Sequence, residues 1–363
     1  IFEISKKQGI RSVDKICHRM ELGKDTYTLG KIRPEMEEEL CRVLADFVRI
    51  MEGYRVDDYR ATASSAISEA SNSLYVLGKI HQLTGLSVTV LSNSEQRFLS
   101  YKALAAMEDN FNKIIEKGTA ILDLDGGSFQ ISLFDKDALV TTQNIRMGSL
   151  RIRERLAGIQ SETEHYEEMV EELIWNEVSS FKKMYLKDRK IENIMLIGDV
   201  FTDSVYQNIE EKTTKIISRE NFNTWYEKII RQSPMELAVK LGIPLENASL
   251  MYPSAVIYKC LIDMMGAEHI WIPGVHMTRG IAYEYAEQMK LLKGGHNFEN
   301  DILMAAKNIG KRYAVNRPHV QNLEMTALAM FDATKKMHGM KERERLLLQM
   351  AVMLHDVGKY ISF

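Results

Sequence analysis

The stretch with the most chemical content is Leu122-Asp-Leu-Asp-Gly-Gly-Ser128. A glycine-rich turn leaves backbone N–H groups unobstructed, and such donors form an anion-binding nest for phosphate oxygens. Asp125, Gly126 and Gly127 would shape the nest, and Ser128 could donate to a phosphate. Asp123 could hold a divalent cation or orient a water. The same residues also suit a plain hairpin, because Asp-Gly is a common hairpin signal. A second stretch, Leu91-Ser-Asn-Ser-Glu95, puts a carboxylate at the start of a helix, where Glu95 either caps the helix or draws a proton from water. In a third, Tyr59 to Asn72, small hydroxyl residues including Ser64 and Ser65 precede a helix whose N-terminus attracts anions. The competing reading there is an ordinary N-cap before a close-packed helix. Near the C-terminal end, His355-Asp356 lies on a helix, and His319 begins an earlier one. Imidazole and carboxylate together suit a divalent cation. Three ligands are few for a hard cation, and the alternative is a surface pair at a helix end.

The elements that must position these residues follow from periodicity. Ile1 to Ser5 reads as the tail of a strand. Pro34 opens an amphipathic helix with Met36, Leu40, Val43, Leu44, Phe47, Ile50 and Met51 on one face. Leu86 to Leu91 alternates and predicts a strand, followed by a helix from about Glu95 to Met107. Thr119–Leu124 and Phe129–Phe134 predict two strands joined by the Asp125–Ser128 turn. A charged helix is expected over 164–186 and a strand over 191–197, ending at Gly198-Asp199. Pro234–Leu241 predicts a short helix, with Gly242-Ile-Pro244 breaking it. A helix near Pro253–Met265, a strand at Ile270–Ile272 and a helix after Gly280 come next. From about Asn297 only helices are expected, so a boundary is placed near 290–297, at Lys293-Gly-Gly-His296.

The chain has 363 residues, 45% hydrophobic and 27% charged, which predicts a globular protein of more than one domain. A net charge of −3 provides no basic field for nucleic acid or an anionic membrane. Three widely spaced cysteines, without a CxxC pair, suit reduced thiols in a cytoplasmic protein. No apolar run approaches the ~20 residues of a membrane helix.

These segments, in this order, resemble the exopolyphosphatase/guanosine-pentaphosphate phosphohydrolase family over nearly the whole chain. The run from Arg60 to Asn72 resembles "ATSA-x-R-EA-x-N", and the run from Leu91 resembles "ISG-x-EEA". Asp123 to Gln130 resembles "DIGGGSTE", Arg146 to Arg151 resembles "MGSVRL", and Gly274 to Tyr283 resembles "GLREGI". His319 and His355-Asp356 resemble an appended HD-type helical domain. The resemblance implies an α/β, actin-like (ribonuclease H-like) fold of two lobes, over 1–115 and 116–292, with a partial HD-like domain over 297–363. It implies removal of a terminal phosphoryl group from inorganic polyphosphate or guanosine pentaphosphate with Mg²⁺, and by analogy a homodimer. Glu95 then matches the catalytic glutamate, and Asp123 with Gly126–Ser128 matches the phosphate and Mg²⁺ site.

The chain also departs from those motifs. The first phosphate loop, "DIGSNS", would precede Ile1, and further HD-domain ligands would follow Phe363, so both ends are expected to be truncated. Ser68 stands where the second motif has Arg, which removes a bidentate phosphate ligand. Asp125, Phe129 and Gln130 replace a Gly, a Thr and a Glu. These departures support an alternative, a catalytically weakened sensor that binds polyphosphate or nucleotide. A third reading is an HD-type metal phosphohydrolase centred on His355 and Asp356.

Overall fold

Residues 1–107, 111–136, 138–157, 166–186, 189–208, 215–292 and 296–360 are described by the structure, a computed structural model. The N-terminal part contains β1 (Phe2–Ser5), β2 (Gly9–Ser12), α1 (Leu22–Leu29), α2 (Pro34–Gly53), β3 (Ala61–Ala63), α3 (Ser65–Ser68), α4 (Ser73–Thr84), β4 (Val88–Val90), α5 (Asn93–Met107) and α6 (Phe111–Ile115). Next come β5 (Thr119–Leu124), β6 (Phe129–Asp135), β7 (Ala138–Ile145), α7 (Ser149–Leu156), α8 (Tyr166–Phe181), β8 (Asn193–Ile197), α9 (Val200–Asn208), β9 (Ile216–Ser218) and α10 (Arg219–Ile230). The chain continues with α11 (Pro234–Leu241), α12 (Leu245–Met265), β10 (His269–Trp271), α13 (Met277–Gln288), α14 (Phe298–Arg312), α15 (Arg317–Ala333), α16 (Lys335–His338) and α17 (Glu342–Leu354).

One six-stranded sheet, in the order β7-β6-β5-β8-β10-β9, organises the middle of the chain. β5 pairs antiparallel with β6 and parallel with β8, so it is central. Both β5 and β8 are buried throughout, as their near-continuous apolar runs require of strands covered on both faces. Successive side chains alternate between faces. Leu122 and Leu124 join the core with α7, α8 and α12, whereas Ile121 joins the core with α5 and α6. Asp123 therefore shares the α5 face with Ile121. Gln130 lies directly opposite Asp123, and Asn144 directly opposite Gln130. These residues make a polar row across three strands, next to the pair Ser132–Thr142 on the same face.

The N-terminal part has two strand pairs, antiparallel β1–β2 and parallel β3–β4. Helices α2 and α4 cover a separate small core around Leu40, Val76 and Ile80. A groove of about 800 Å³ lies between β1, the stretch from Arg55 to Arg60 and α13. The N-terminal part meets the rest of the chain where α1 packs on α7 and where α5, β1 and β2 pack on α13.

Most expected elements are present. α11 covers Pro234–Leu241, fixed by Pro in its first turn and by a capping box from Ser233 and Glu236. α12 differs: it begins at Leu245 and runs through Pro253. An interior Pro removes one donor and crowds the carbonyl four residues back, and burial along this helix offsets that cost. The expected strand 86–91 shortens to β4, although the Leu91 amide still donates to the Ala63 carbonyl at 2.9 Å. β7 and α1 were not anticipated. After Asn297 the described residues are helical; α14 is tied to the edge strand β7, where Asn308 Nδ2 donates to the Leu139 and Val140 carbonyls at 3.2 and 3.3 Å. The expected turn at 293–296 falls largely outside the described residues. Among the described residues no helix is long and apolar enough to cross a membrane.

Candidate functional site

The strand ends of both parts converge on the turn between β5 and β6. The turn closes with the Asp125 amide donating to the Ser128 carbonyl at 2.9 Å. Its carbonyls are drawn toward the start of α7. Ser149 N donates to Asp125 O at 3.2 Å, and Arg151 N to Gly126 O at 2.9 Å. Arg151 Nε donates to Gly127 O at 2.9 Å. Among the described residues the Gly126 and Gly127 amides find no protein acceptor. That is the arrangement of an anion nest: carbonyls tied back, N–H groups left over.

Tyr27 Oη and Ser65 Oγ share a hydrogen bond of 3.0 Å directly over this turn. A Cβ on Gly127 would lie 2.2 Å from Tyr27 Oη and 2.7 Å from Ser65 Oγ, so only glycine fits beneath them. Arg151 stacks on the Tyr27 ring at 4.1 Å and pairs with Glu69 at 2.9 Å. Ser65 is thus brought to the glycine turn, as expected. Ser64 opens α3, a single turn of four residues, and makes no capping bond. So short a helix concentrates little dipole charge, and this segment offers hydroxyls more than a helix end.

Three aspartates gather behind the turn. Asp123 is buried, and Asp125 and Asp199 are half-buried. Burial drives the Asp123 carboxyl up; Asp199 adds to the rise, while Ser100 and Arg97 oppose it. Burial also raises Asp125, with the Asp123 charge adding to it. Burial lifts Asp199 to about 6, and hydrogen bonds from Thr202 and Tyr258 oppose the rise. Thr202 N and Tyr258 Oη donate to Asp199 Oδ1 at 3.1 and 3.3 Å. Asp199 Oδ2 is buried with no partner. Gly198 brings the strands close enough that a Cβ there would sit 2.5 Å from Asp123 Oδ1.

Asp199 repels Asp123 and Asp123 repels Asp125; their ligand atoms do not all lie within 4.8 Å of one another, but with one Asp199 oxygen left over they supply acidic oxygens of the kind a hard divalent cation takes. Sequence reasoning gave Asp123 as the cation residue, put Asp125 in the phosphate-binding turn and did not single out Asp199. Its signal was an acid just past the end of a buried strand, where open sheets place their ligands.

Glu95 lies in the first turn of α5 and is exposed. Its Oε2 accepts from Ser92 N at 2.8 Å and from Ser92 Oγ at 2.7 Å, and its own amide donates to Ser92 Oγ at 3.2 Å. These bonds hold the Glu95 carboxyl below its usual range. The capping reading is therefore realised through one oxygen. Among the described residues Oε1 accepts no hydrogen bond, so the cap also orients a free carboxylate oxygen.

At the far end, His319, His355 and Asp356 each offer a ligand atom within 4.8 Å of the others. His355 Nδ1 is 2.7 Å from the Val352 carbonyl, which assigns its proton there and leaves Nε2 facing Asp356 Oδ1 at 3.0 Å. Lys359 also reaches Asp356 Oδ1, at 2.7 Å.

Comparison with known proteins places this geometry. A sequence model of the Ppx/GppA phosphatase family matches residues 1–289. A bifunctional 3-dehydroquinate synthase/phosphatase of Fusobacterium nucleatum is 20% identical over 72% of this chain and 40% of its own length. A guanosine-5'-triphosphate,3'-diphosphate pyrophosphatase of Vibrio atlanticus is 18% identical over 98% of this chain and 69% of its own. The chain thus spans less than half of the first relative. An exopolyphosphatase structure from Cytophaga hutchinsonii superposes with a TM-score of 0.65 at 18% identity, covering 75% of this chain and 88% of that one. The Ppx/GppA member from Aquifex aeolicus gives 0.58 at 16%, covering 74% and 87%. The fold is the α/β one of the Ppx/GppA structures, and the match over residues 1–289 shows that this chain belongs to the Ppx/GppA phosphatase family.

Proposed function

We propose that this protein hydrolyses the terminal phosphoanhydride of inorganic polyphosphate or of guanosine pentaphosphate. The observation that carries this reading is a turn with free glycine amides, backed by buried Asp123 and half-buried Asp125 and Asp199, whose carboxyls are all pushed up by burial. Phosphoryl transfer depends mainly on positioning and on neutralising charge. Asp123, Asp125 and Asp199 would hold a divalent cation, which we take to be Mg²⁺; when bound, it supplies charge neutralisation to the phosphate oxygens. The Gly126 and Gly127 amides, with the Ser128, Ser64 and Ser65 hydroxyls, bind those oxygens and fix the terminal group. Glu95 Oε1 takes a proton from water as the water oxygen bonds to the terminal phosphorus. The bridging P–O bond breaks, and inorganic phosphate is released with the shortened chain. Likeness to the family further supports a cytoplasmic homodimer.

Phosphate release from long-chain polyphosphate and from guanosine pentaphosphate, with Mg²⁺, tests the proposal. Glu95→Gln is expected to lower kcat by about 10²- to 10⁴-fold, the usual contribution of a general base. Equal rates in the variant would remove Glu95 from the reaction. No release by the folded wild type would favour the second reading, a binding sensor, which Ser68, Asp125 and Gln130 support.

We also read His319, His355 and Asp356 as a partial metal site of an HD-like helical domain. Its support is the convergence of the three ligand atoms and the fixed Nδ1 proton of His355.

A further inference from the structure

Arg97 lies two residues past Glu95, half-buried on α5. Its Nη1 reaches Gln130 Oε1 at 3.5 Å and its Nη2 reaches Ser94 Oγ at 3.2 Å. Both acceptors are neutral, and the first bond is long. Among the described residues no carboxylate lies within ion-pair distance of Arg97. Its charge is nevertheless felt by Asp123 and Tyr101. A guanidinium has five donors in a planar fork, and two bonds to neutral acceptors leave most of that capacity unused. The surroundings are under-satisfied as well. Asn144 Oδ1 is buried without a partner, and Asn144 lies directly opposite Gln130.

The sequence gives this placement a reason. Ser68 stands where the motif around it has Arg, and Arg97 stands where "ISG-x-EEA" ends in Ala. Gln130 stands where "DIGGGSTE" ends in Glu, and Asp125 replaces a Gly. The four changes cancel in formal charge: one positive charge leaves position 68 and another arrives at position 97. A Glu at 130 would hold Arg97 in an ion pair, whereas the neutral Gln130 positions the guanidinium without neutralising it.

We propose that Arg97 is the phosphoryl-binding guanidinium of this site, forking onto two oxygens of a terminal phosphoanhydride group in place of the arginine absent at Ser68. This rests on the hydrolase reading for its setting. The binding claim stands separately: a chain of condensed phosphate is gripped from α5, with Gln130 as the positioning residue.

Calorimetric titration of the intact protein with inorganic tripolyphosphate, in Mg²⁺, decides it. Arg97→Gln is expected to weaken binding by about 10- to 100-fold, the range for a charge-assisted hydrogen bond. Arg97→Lys should recover part of the loss, because it keeps the charge but not the fork. Gln130→Glu should raise the melting temperature while weakening binding, since the new carboxylate captures Arg97. Wild-type affinity, within twofold, in folded Arg97→Gln or in Gln130→Glu would overturn the proposal. So would failure of the wild type to bind tripolyphosphate. Phosphate release is assayed separately: a wild type that binds but releases none ends the hydrolase reading and leaves the Arg97 titrations to stand on their own.

Discussion

At the scale of residues, the first turn of α5 shows why Glu95 read two ways. The Ser92-Asn-Ser-Glu95 spacing is that of a capping box, and the structure builds one. A general base needs the same position, a helix start facing the strand ends. The sequence shows the spacing but not which carboxylate oxygen is left over. Asp125 was legible as part of a turn for another reason, because an acid before two glycines and a serine between two strands marks a hairpin or a phosphate turn, and the sequence does not say which. Asp199 was not, since its role comes from Gly198 approaching Asp123 across a parallel strand pair distant in sequence. The cap gives a direct prediction. Ser92→Ala removes the hydroxyl bond to the Glu95 carboxylate and the one from the Glu95 amide, and leaves the backbone bond from Ser92 N, so the Glu95 pKa rises part of the way toward the ordinary value. The acid limb of the pH–rate profile should move upward, and the melting temperature should fall by the equivalent of about 1 kcal/mol. An unmoved acid limb would show that Glu95 does not govern it.

At the scale of elements, α5 and α13 determine how the halves of the site meet. Gly280 is the contact that lets them approach. A Cβ there would lie 1.9 Å from the Leu99 carbonyl, a backbone atom that cannot swing aside. Lys102 on α5 seals the same seam to Glu287 at 2.7 Å. Gly280→Ala is expected to cost about 1–3 kcal/mol in urea unfolding and to lower kcat, because displaced α5 carries Glu95 and Arg97 away from the aspartates. Unchanged stability would mean that the helices part freely. Helix periodicity and the central strands were readable because α2, β5 and β8 bury continuous or strictly spaced apolar faces. β7 was not, since Thr141, Thr142, Gln143 and Asn144 dilute its apolar content on a half-covered edge strand. Pro253 misled in the other direction, marking a start where α12 was already two turns long.

At the scale of the whole molecule, the aspartate trio sets a cost on folding. The ordinary carboxyl releases its proton near pH 3.8, whereas folded Asp199 keeps its proton to about pH 6. Folding is therefore favoured most below pH 3.8 and loses that advantage as pH rises to 6. Above it, Asp199 alone costs on the order of 3 kcal/mol. Asp123 and Asp125 shift in the same direction. Without divalent cation, the melting temperature should fall between pH 5 and 8, and Mg²⁺ should restore more of it at pH 8 than at pH 5. Asp199→Asn should melt higher than the wild type in metal-free buffer at pH 8 and gain less from Mg²⁺. Scanning calorimetry across pH would show this; a Mg²⁺ gain independent of pH would separate the trio from the cation.

The bonds from Ser92 also set a limit on how this lineage can change. They begin a helix and weaken a base at the same time, because each bond that steadies the carboxylate lowers its affinity for a proton. A descendant selected for heat tolerance would strengthen that turn and turn over more slowly. One selected for speed would begin α5 less firmly and unfold sooner. Persistence and rate are traded at the side chain of one serine.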